Sequence, residues 1–464
     1  MSIESVNPAS GEAIARYAEM DPAAVKVAID GAHEAFLDWR RRSFEDRSER
    51  MRLAAELLKE RARDYGRLMA QEMGKPIRDG IAEAEKCALA CQFYAEHAAR
   101  FLADAMVETE GRKSFVAFRP LGVILAVMPW NFPFWQAIRF AAPGLMAGNA
   151  AVLKHSANVP GCALALEELF RDAGFPINLF RTLMIGSREV AAVIAHPHVA
   201  AVTLTGSGPA GREVAAKAGS LLKKTVLELG GSDAYLVLSD ADIDFTAAAC
   251  ARGRLVNSGQ SCIAAKRFIV VDDVRTPFEA KLVEEMGKAR MGDPLDEKTT
   301  IGPMARHDLR DALHEQVRKS MAKGARLLCG GTIPEGRGAY YPPTVLADVR
   351  PGMPAYDEEM FGPVAAVIAA KDAAHAVHIA NDSPFGLGGG VFTRDLELGE
   401  RLAKDAIDAG AVFVNATVQS DPRLPFGGIK DSGYGRELAV FGIREFVNIK
   451  TVVVTPHGNQ REPR

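Results

Sequence analysis

Cys262 stands in the polar, glycine-bearing run Gly259-Gln260-Ser261-Cys262, and Glu228 stands in Leu227-Glu228-Leu229-Gly230-Gly231. A cysteine in such a loop is a candidate nucleophile, because the thiolate is the reactive form wherever its surroundings favour charge. A free thiol is only a few per cent thiolate near neutrality, so a local influence that lowers the Cys262 pKa is expected. A glutamate at a strand end is a candidate general base. Each has a plainer reading. A lone cysteine is usually a small buried hydrophobe, and Glu228 fits a strand-end salt bridge equally. Asn131, in Pro129-Trp130-Asn131-Phe132-Pro133, offers either a side-chain amide for chemistry or simple turn formation. Gly206-Ser207-Gly208-Pro209-Ala210-Gly211 fits G-x-G-x-x-G between a strand pattern and a helix pattern. There a helix N-terminus would present free N–H groups and partial positive charge to a pyrophosphate. A glycine-rich turn without a ligand fits the same residues.

These residues need elements to hold them. The first hundred residues are mostly helical in pattern. Asp21-Pro22 caps a helix over 23–39, with Asp at N-cap and Pro at N1. Two further helical stretches, 45–73 and 76–103, are punctuated by Gly74. Residues 116–119 and 122–128 read as strands, and 145–148 end a helix. Strand and helix then alternate: strand 150–154, helix 159–172, strand 179–184, helix 189–196, strand 200–205, helix 210–218, strand 225–229. Such alternation predicts an α/β fold with a doubly wound, parallel sheet. A second α/β series follows Gly231, with strands at 234–238, 267–271, 325–329, 364–369, 387–392 and 411–415. The tail, 446–455, alternates and reads as an exposed edge strand. Exposed edges usually need a partner, so pairing across subunits is expected.

The bulk composition excludes several classes. A chain of 464 residues is more than one core usually supports, so two or three lobes are expected. A net charge of −3 gives no electrostatic reason to expect a nucleic-acid or anionic-membrane partner. No apolar run approaches the ~18 residues of a membrane span. Residues 121–128 are short and followed by Pro129, which suits a buried strand. The first eight residues have neither a basic n-region nor an h-region, so no signal peptide is expected. Six cysteines (87, 91, 162, 250, 262, 329) are scattered without a metal-like or disulfide-like framework. Cys87 and Cys91 share one helix face. A reducing, cytoplasmic setting and no metal are expected.

Taken in order, the four segments around Asn131, Glu228, Cys262 and Pro425-Phe426-Gly427-Gly428 resemble the aldehyde dehydrogenase superfamily. The likeness runs from Asn7-Pro8-Ala9-Ser10-Gly11 to Asn448-Ile449-Lys450-Thr451. It implies a dinucleotide-binding domain over 1–102 and 121–231, a catalytic domain over 232–431, and oligomerisation strands at 103–120 and 446–456. It also implies roles. Cys262 attacks the aldehyde carbon, the Asn131 amide and the Cys262 N–H hold the oxyanion, and Glu228 activates water to hydrolyse the thioester. An acid some twenty residues past the glycine turn would otherwise read as a ribose ligand; the match along Leu-Glu-Leu-Gly-Gly assigns Glu228 to the base instead. The family's turn is Gly-Ser-x-x-x-Gly, so Gly206, Ser207 and Gly211 carry over and Gly208 is incidental. Lys154 matches a lysine on the adenosine ribose, with Ser156 beside it. Glu359 and Phe361 match the nicotinamide-ribose contact and a ring-side residue, and Trp130 and Leu229 join the cofactor contacts. NAD-preferring members commonly carry a Glu three residues after that Lys; here it is Ala157. A Glu there would repel a 2′-phosphate. The resemblance therefore implies NADP or NAD as cofactor, with NADP accepted.

Within the superfamily the likeness is greatest to the shorter succinate-semialdehyde dehydrogenases, on Gly259 to Arg267 and Ser420 to Gly428. It implies that Arg139 and Ser420 hold a substrate carboxylate, a task suited to a bidentate guanidinium. Longer members carry a second Arg six residues before the nucleophile and can carry a second Cys two residues after it. Here those positions are Val256 and Ala264, so a weaker carboxylate grip or less polar aldehydes, and no local disulfide switch, are expected. A retained Glu228 implies a free acid as product, since the CoA-acylating relatives lack this base. Other readings are a dehydrogenase for glutarate semialdehyde, an aliphatic or an aromatic aldehyde, a cysteine-dependent hydrolase, and a non-catalytic nucleotide-binding relative. A hydrolase would need a Cys–His dyad, and none of the 10 histidines sits in a comparable motif. The expected assembly is a homodimer or homotetramer.

Overall fold

Three nearly continuous apolar runs, Val123–Met128, Ala150–His155 and Val199–Thr205, bury almost every side chain. That is the pattern of a parallel sheet covered on both faces. In the computed structural model, which describes residues 2–456, they lie within a 6-stranded sheet. Met1, counted into the first domain above, lies outside the described residues. The strand order is Gly433–Tyr434, Lys224–Glu228, Val199–Thr205, Val123–Met128, Ala150–His155, Phe180–Thr182. All neighbours are parallel except the short Gly433–Tyr434 strand. Chain order reverses between Val123–Met128 and Val199–Thr205, which opens a crevice at the carboxyl ends of the strands. Pro129, Ser156, Gly206 and Leu229 each directly follow one of those ends.

The helix Pro22–Trp39 starts as expected, with the Asp21 side chain accepting the Ala24 N–H. The expected helix over 45–73 is two helices, Phe44–Glu60 and Ala62–Met73, which part at Arg61 (φ −95°, ψ 11°). Both pack on Ile77–Phe101 and Pro160–Asp172, but their other partners differ: Phe44–Glu60 meets Trp135–Met146, while Ala62–Met73 meets Ser2–Val6. The N-terminus opens on an antiparallel pair, Ser2–Val6 with Ala13–Ala18, rather than on helix. Its strands are short and largely exposed, so their alternation is weak; Gly11 (φ +75°) closes the turn by donating to Asn7 O at 2.7 Å.

A 7-stranded sheet forms the second half, ordered Arg326–Cys329, Thr344–Ala347, Val364–Ala370, Arg267–Val271, Ala234–Val237, Gly388–Phe392, Ala411–Val414. Alternate residues feed two separate cores. Ala234, Leu236, Ile269 and Val271 pack on one face, and Tyr235, Val237, Phe268 and Val270 on the other, the period of two that a strand imposes. Thr344–Ala347 is an addition to the expected strands; four residues behind Pro342-Pro343 are too few to show a period. Residues 229–233 join the carboxyl end of Lys224–Glu228 to the amino end of Ala234–Val237. The segments 256–266 and 358–363 enter the second sheet from that same amino end.

The tail strand Val447–Val454 pairs with Lys113–Pro120 of its own chain along its whole length, and Ala105–Met106 lies on the far side. Its inner edge is therefore satisfied within the chain, and its outer edge is open among the described residues. No helix among the described residues is long and apolar enough to cross a membrane.

Candidate active site

Cys262 sits in a loop bent by three consecutive left-handed residues, Asn257 (φ 53°), Ser258 (φ 56°) and Gly259 (φ 75°). Non-glycine residues in that region cost about 1 kcal/mol or more each, so other contacts have to hold them. Asn257 Nδ2 donates to Asn131 O at 2.8 Å and to Gln260 O at 3.0 Å. Gly302 N–H donates to Ser258 Oγ, and Ala305 N–H to Gln260 Oε1. Arg254 Nη2 donates to Gly259 O at 2.6 Å. Lys266 Nζ, fully buried, donates to the carbonyls of Ser261, Cys262 and Ala264 at 2.8–3.1 Å. Asn131 Nδ2 donates to Gln260 O at 3.1 Å, which draws the asparagine onto this loop and leaves its second N–H free. Among the described residues the Cys262 N–H makes no hydrogen bond.

Glu228 is 2% exposed, and neither carboxyl oxygen has a hydrogen-bond donor of its own. Its pKa is raised to about 7, first by burial, with the Arg139 charge opposing and the Cys262 thiol against it. Burial, and then Glu228, push the Cys262 thiol well up; Arg139 and Lys266 pull it down less strongly. The expected lowering of the thiol pKa is thus reversed in the chain alone, because the loop is dry and a carboxylate is its neighbour. Arg139 lies between two carboxylates, 2.6 Å from Glu437 Oε2 and 3.6 Å from Glu228 Oε2. It also donates to Thr205 Oγ1 at 3.3 Å and stacks over Phe426.

The cofactor candidates gather at the strand ends. Ser207 precedes the helix Gly208–Gly219 without a side-chain cap of its own, so that end is open to an anion. Gly211 packs so closely on Leu229 that an added Cβ would lie 2.6 Å from Leu229 Cδ2, whereas one on Gly208 would meet only the end of the flexible Arg212. The Gly206 N–H donates to Glu228 O at 3.0 Å, which ties the turn to the candidate base. Lys154 is buried on its strand; burial lowers its pKa, with no carboxylate acting against it. Ser156 donates to Asn158 Oδ1. Trp130 and Phe361 meet edge to face at 5.8 Å. Glu359 accepts the Gly231 N–H at 3.0 Å and lies 3.7 Å from Lys266.

A cavity of about 770 Å³ opens on Cys262, lined by Phe132, Trp135, Arg139, Val256, Ser420 and Phe426 among others. Two lining or adjoining groups carry no motif signal: Lys86, bonded to Ser420, and Glu437, paired with Arg139. Lys86 lies in Glu83-Ala84-Glu85-Lys86, which reads as a solvated helix face. Glu437 follows an arginine in a loop with no periodicity. Elsewhere, Asp30, His196 and His198 bring ligand atoms within 4.8 Å of one another. His198 Nδ1 bonds Asp30 at 3.0 Å, and His196 Nδ1 accepts the His198 N–H, which fixes the proton on the nitrogen facing Asp30. That hydrogen bonding accounts for the cluster without an ion.

The chain matches the Aldehyde dehydrogenase family over residues 1–452. It is 48% identical to a probable succinate-semialdehyde dehydrogenase (NADP(+)) of Synechocystis sp., covering 97% of this chain and 99% of that protein. It is 46% identical to a succinate semialdehyde dehydrogenase (NAD(P)+) of Escherichia coli, covering 97% of each. The crystal structure of succinic semialdehyde dehydrogenase from Streptococcus pyogenes in complex with NADP+ is similar at a TM-score of 0.95 and 35% identity, covering 98% of this chain and 100% of that one.

Proposed function

The chain belongs to the aldehyde dehydrogenase family, and on that footing we propose that it oxidises succinate semialdehyde to succinate with NADP, and also accepts NAD. The observation that carries the reading is the junction of the two sheets, where Cys262, Asn131 and an unbonded, half-neutral Glu228 share one dry site.

Cys262 gives up its proton, for which the Glu228 carboxylate is the adjacent acceptor, and its sulfur adds to the aldehyde carbon. The oxyanion of the resulting thiohemiacetal takes the free Asn131 N–H and the Cys262 N–H; one such donor is typically worth about 3–4 kcal/mol. An oxidised nicotinamide, when bound, supplies a positive ring that favours the thiolate and is the acceptor for the hydride. Cys262 is left as a thioester. Glu228, once it has passed the thiol's proton to solvent, takes a proton from water, hydroxide adds to the acyl carbon, and the Cys262 sulfur leaves as thiolate as the carboxylic acid forms.

The chain's own residues suit the cofactor. The uncapped helix at Ser207 would receive the pyrophosphate, with Gly206 in the turn and Gly211 letting the helix pack closely on Leu229. Lys154, cationic and unopposed, and Ser156 would meet the adenosine ribose and a 2′-phosphate, with Ala157 offering no repulsion. Glu359, Phe361 and Trp130 would flank the nicotinamide riboside. On the substrate side, Arg139 and Ser420 lie in the cavity wall. Unpaired cysteines suit a reducing compartment, so we place the enzyme in the cytoplasm, as a homodimer or homotetramer.

The test is initial rates of nicotinamide reduction with succinate semialdehyde, hexanal and benzaldehyde, each with NADP and NAD. Succinate semialdehyde is expected to lead by about a hundredfold in kcat/KM, roughly 2.7 kcal/mol of discrimination, and NADP to be used at least as well as NAD. Equal rates with hexanal would refute the substrate, and a large NAD preference would refute the cofactor reading.

A further inference from the structure

The cavity beside Cys262 contains a cation, Lys86, that forms no ion pair with a carboxylate among the described residues. Lys86, on the helix Ile77–Phe101, contributes to the cavity wall. Its ammonium donates to Ser420 Oγ at 2.8 Å and lies 4.3 Å from the Trp135 ring centroid. Its two acidic neighbours are engaged elsewhere. Glu83 is ion-paired with Lys75 and accepts the Phe134 and Trp135 N–H groups at 2.9 Å. Asp421 is paired with Arg423 at 2.6 Å. Burial, and next the charge of Arg139, lower the Lys86 pKa to about 8, as befits an ammonium short of anionic company. Arg139 is the opposite case. It has Glu437 at 2.6 Å on one side and Glu228 at 3.6 Å on the other.

A partly dry charge is costly until it is paired. A carboxylate entering the cavity would complete the pair. The Ser420 oxygen accepts from Lys86, so its own proton is free to donate to the same carboxylate. We infer that Lys86, with the Ser420 hydroxyl it orients, is a specificity-determining anchor for the distal carboxylate of the substrate. The inference rests on the acidic-aldehyde reading above and names the group that would read the acid.

The experiment uses the full chain as wild type, Lys86→Met and Lys86→Arg. It measures kcat/KM for succinate semialdehyde and for butanal, and inhibition of butanal oxidation by succinate. In wild type the acidic aldehyde is expected to lead and succinate to compete. In Lys86→Met the ratio of the two kcat/KM values should fall about a hundredfold, chiefly through KM. Succinate inhibition should weaken at least about tenfold, and Lys86→Arg should restore much of both. A Lys86→Met enzyme that keeps its ratio and its succinate inhibition overturns the inference and leaves the acidic-aldehyde reading standing. A loss shared equally by both aldehydes overturns it as well, since only a structural role would act so evenly. A wild-type enzyme with no preference and no succinate inhibition overturns both readings together.

Discussion

Glu228 is the residue on which pH acts most directly. Burial holds its carboxyl at about 7, so below that pH it is mostly protonated and cannot take a proton from water, and above it the base is present. Thioester hydrolysis should therefore rise about tenfold per pH unit below 7 and level off above it. In Glu228→Gln that limb should vanish and turnover should fall at least about a hundredfold. Intact-protein mass spectrometry should then find the acyl group retained on Cys262. Cys262, Glu228 and Asn131 are legible in the sequence because each lies in a local string of unusual composition. The direction of the thiol's pKa is not legible, because it comes from burial and from a carboxylate thirty-four positions away in the chain. Lys86 and Glu437 are hidden for the same reason: their meaning lies in partners at Ser420 and Arg139, which no local window contains.

Elements that bury both faces or carry a cap are the ones the sequence announces. The strand Arg267–Val271 falls where its apolar run predicts, and the Pro22–Trp39 helix begins at its Asp-Pro signal. The break at Arg61 and the hairpin Ser2–Val6 with Ala13–Ala18 escape notice because tertiary partners, not local pattern, decide them. The nucleophile loop stands between these cases. Its glycine is visible, but the reason for it is not. Gly259 lies at φ +75°, and a Cβ there would fall within the backbone of Gly362 and against Pro363 N. Neither neighbour is a flexible side-chain tip that can swing aside. Gly259→Ala should thus cost at least about 2 kcal/mol in urea unfolding. Because the shifted loop carries both Cys262 and the Gln260 carbonyl that holds Asn131, kcat should fall along with stability. A variant with wild-type kcat would show that the loop's path is not what aligns the thiol.

Across the whole molecule, the carboxyl end of one sheet meets the amino end of the other through residues 229–233, and the candidate chemistry lies at that junction. The three-stranded sheet formed with the tail touches none of this chemistry and ends in an unpaired strand edge. Among the described residues Val447–Val454 pairs on one side only, and Ile449 and Val453, two positions that share a face, are 63% and 55% exposed. Open edges with exposed β-branched side chains favour pairing with another chain unless charge blunts them; here Lys450 is the single charge in the strand. A second copy of the chain is the partner this edge suits, in a homodimer or in a tetramer built from dimers. Replacing Ile449 and Val453 together by Asp leaves the inner edge and its eight register pairs with Lys113–Pro120 untouched. It sets charges where the second copy would lie. In sedimentation velocity the wild-type chain is expected as a dimer or larger. The double variant should shift to the monomer, with its dissociation constant raised at least about a hundredfold. A wild-type chain that sediments as a monomer at micromolar concentration would show that Lys450 alone suffices to keep the edge unpaired.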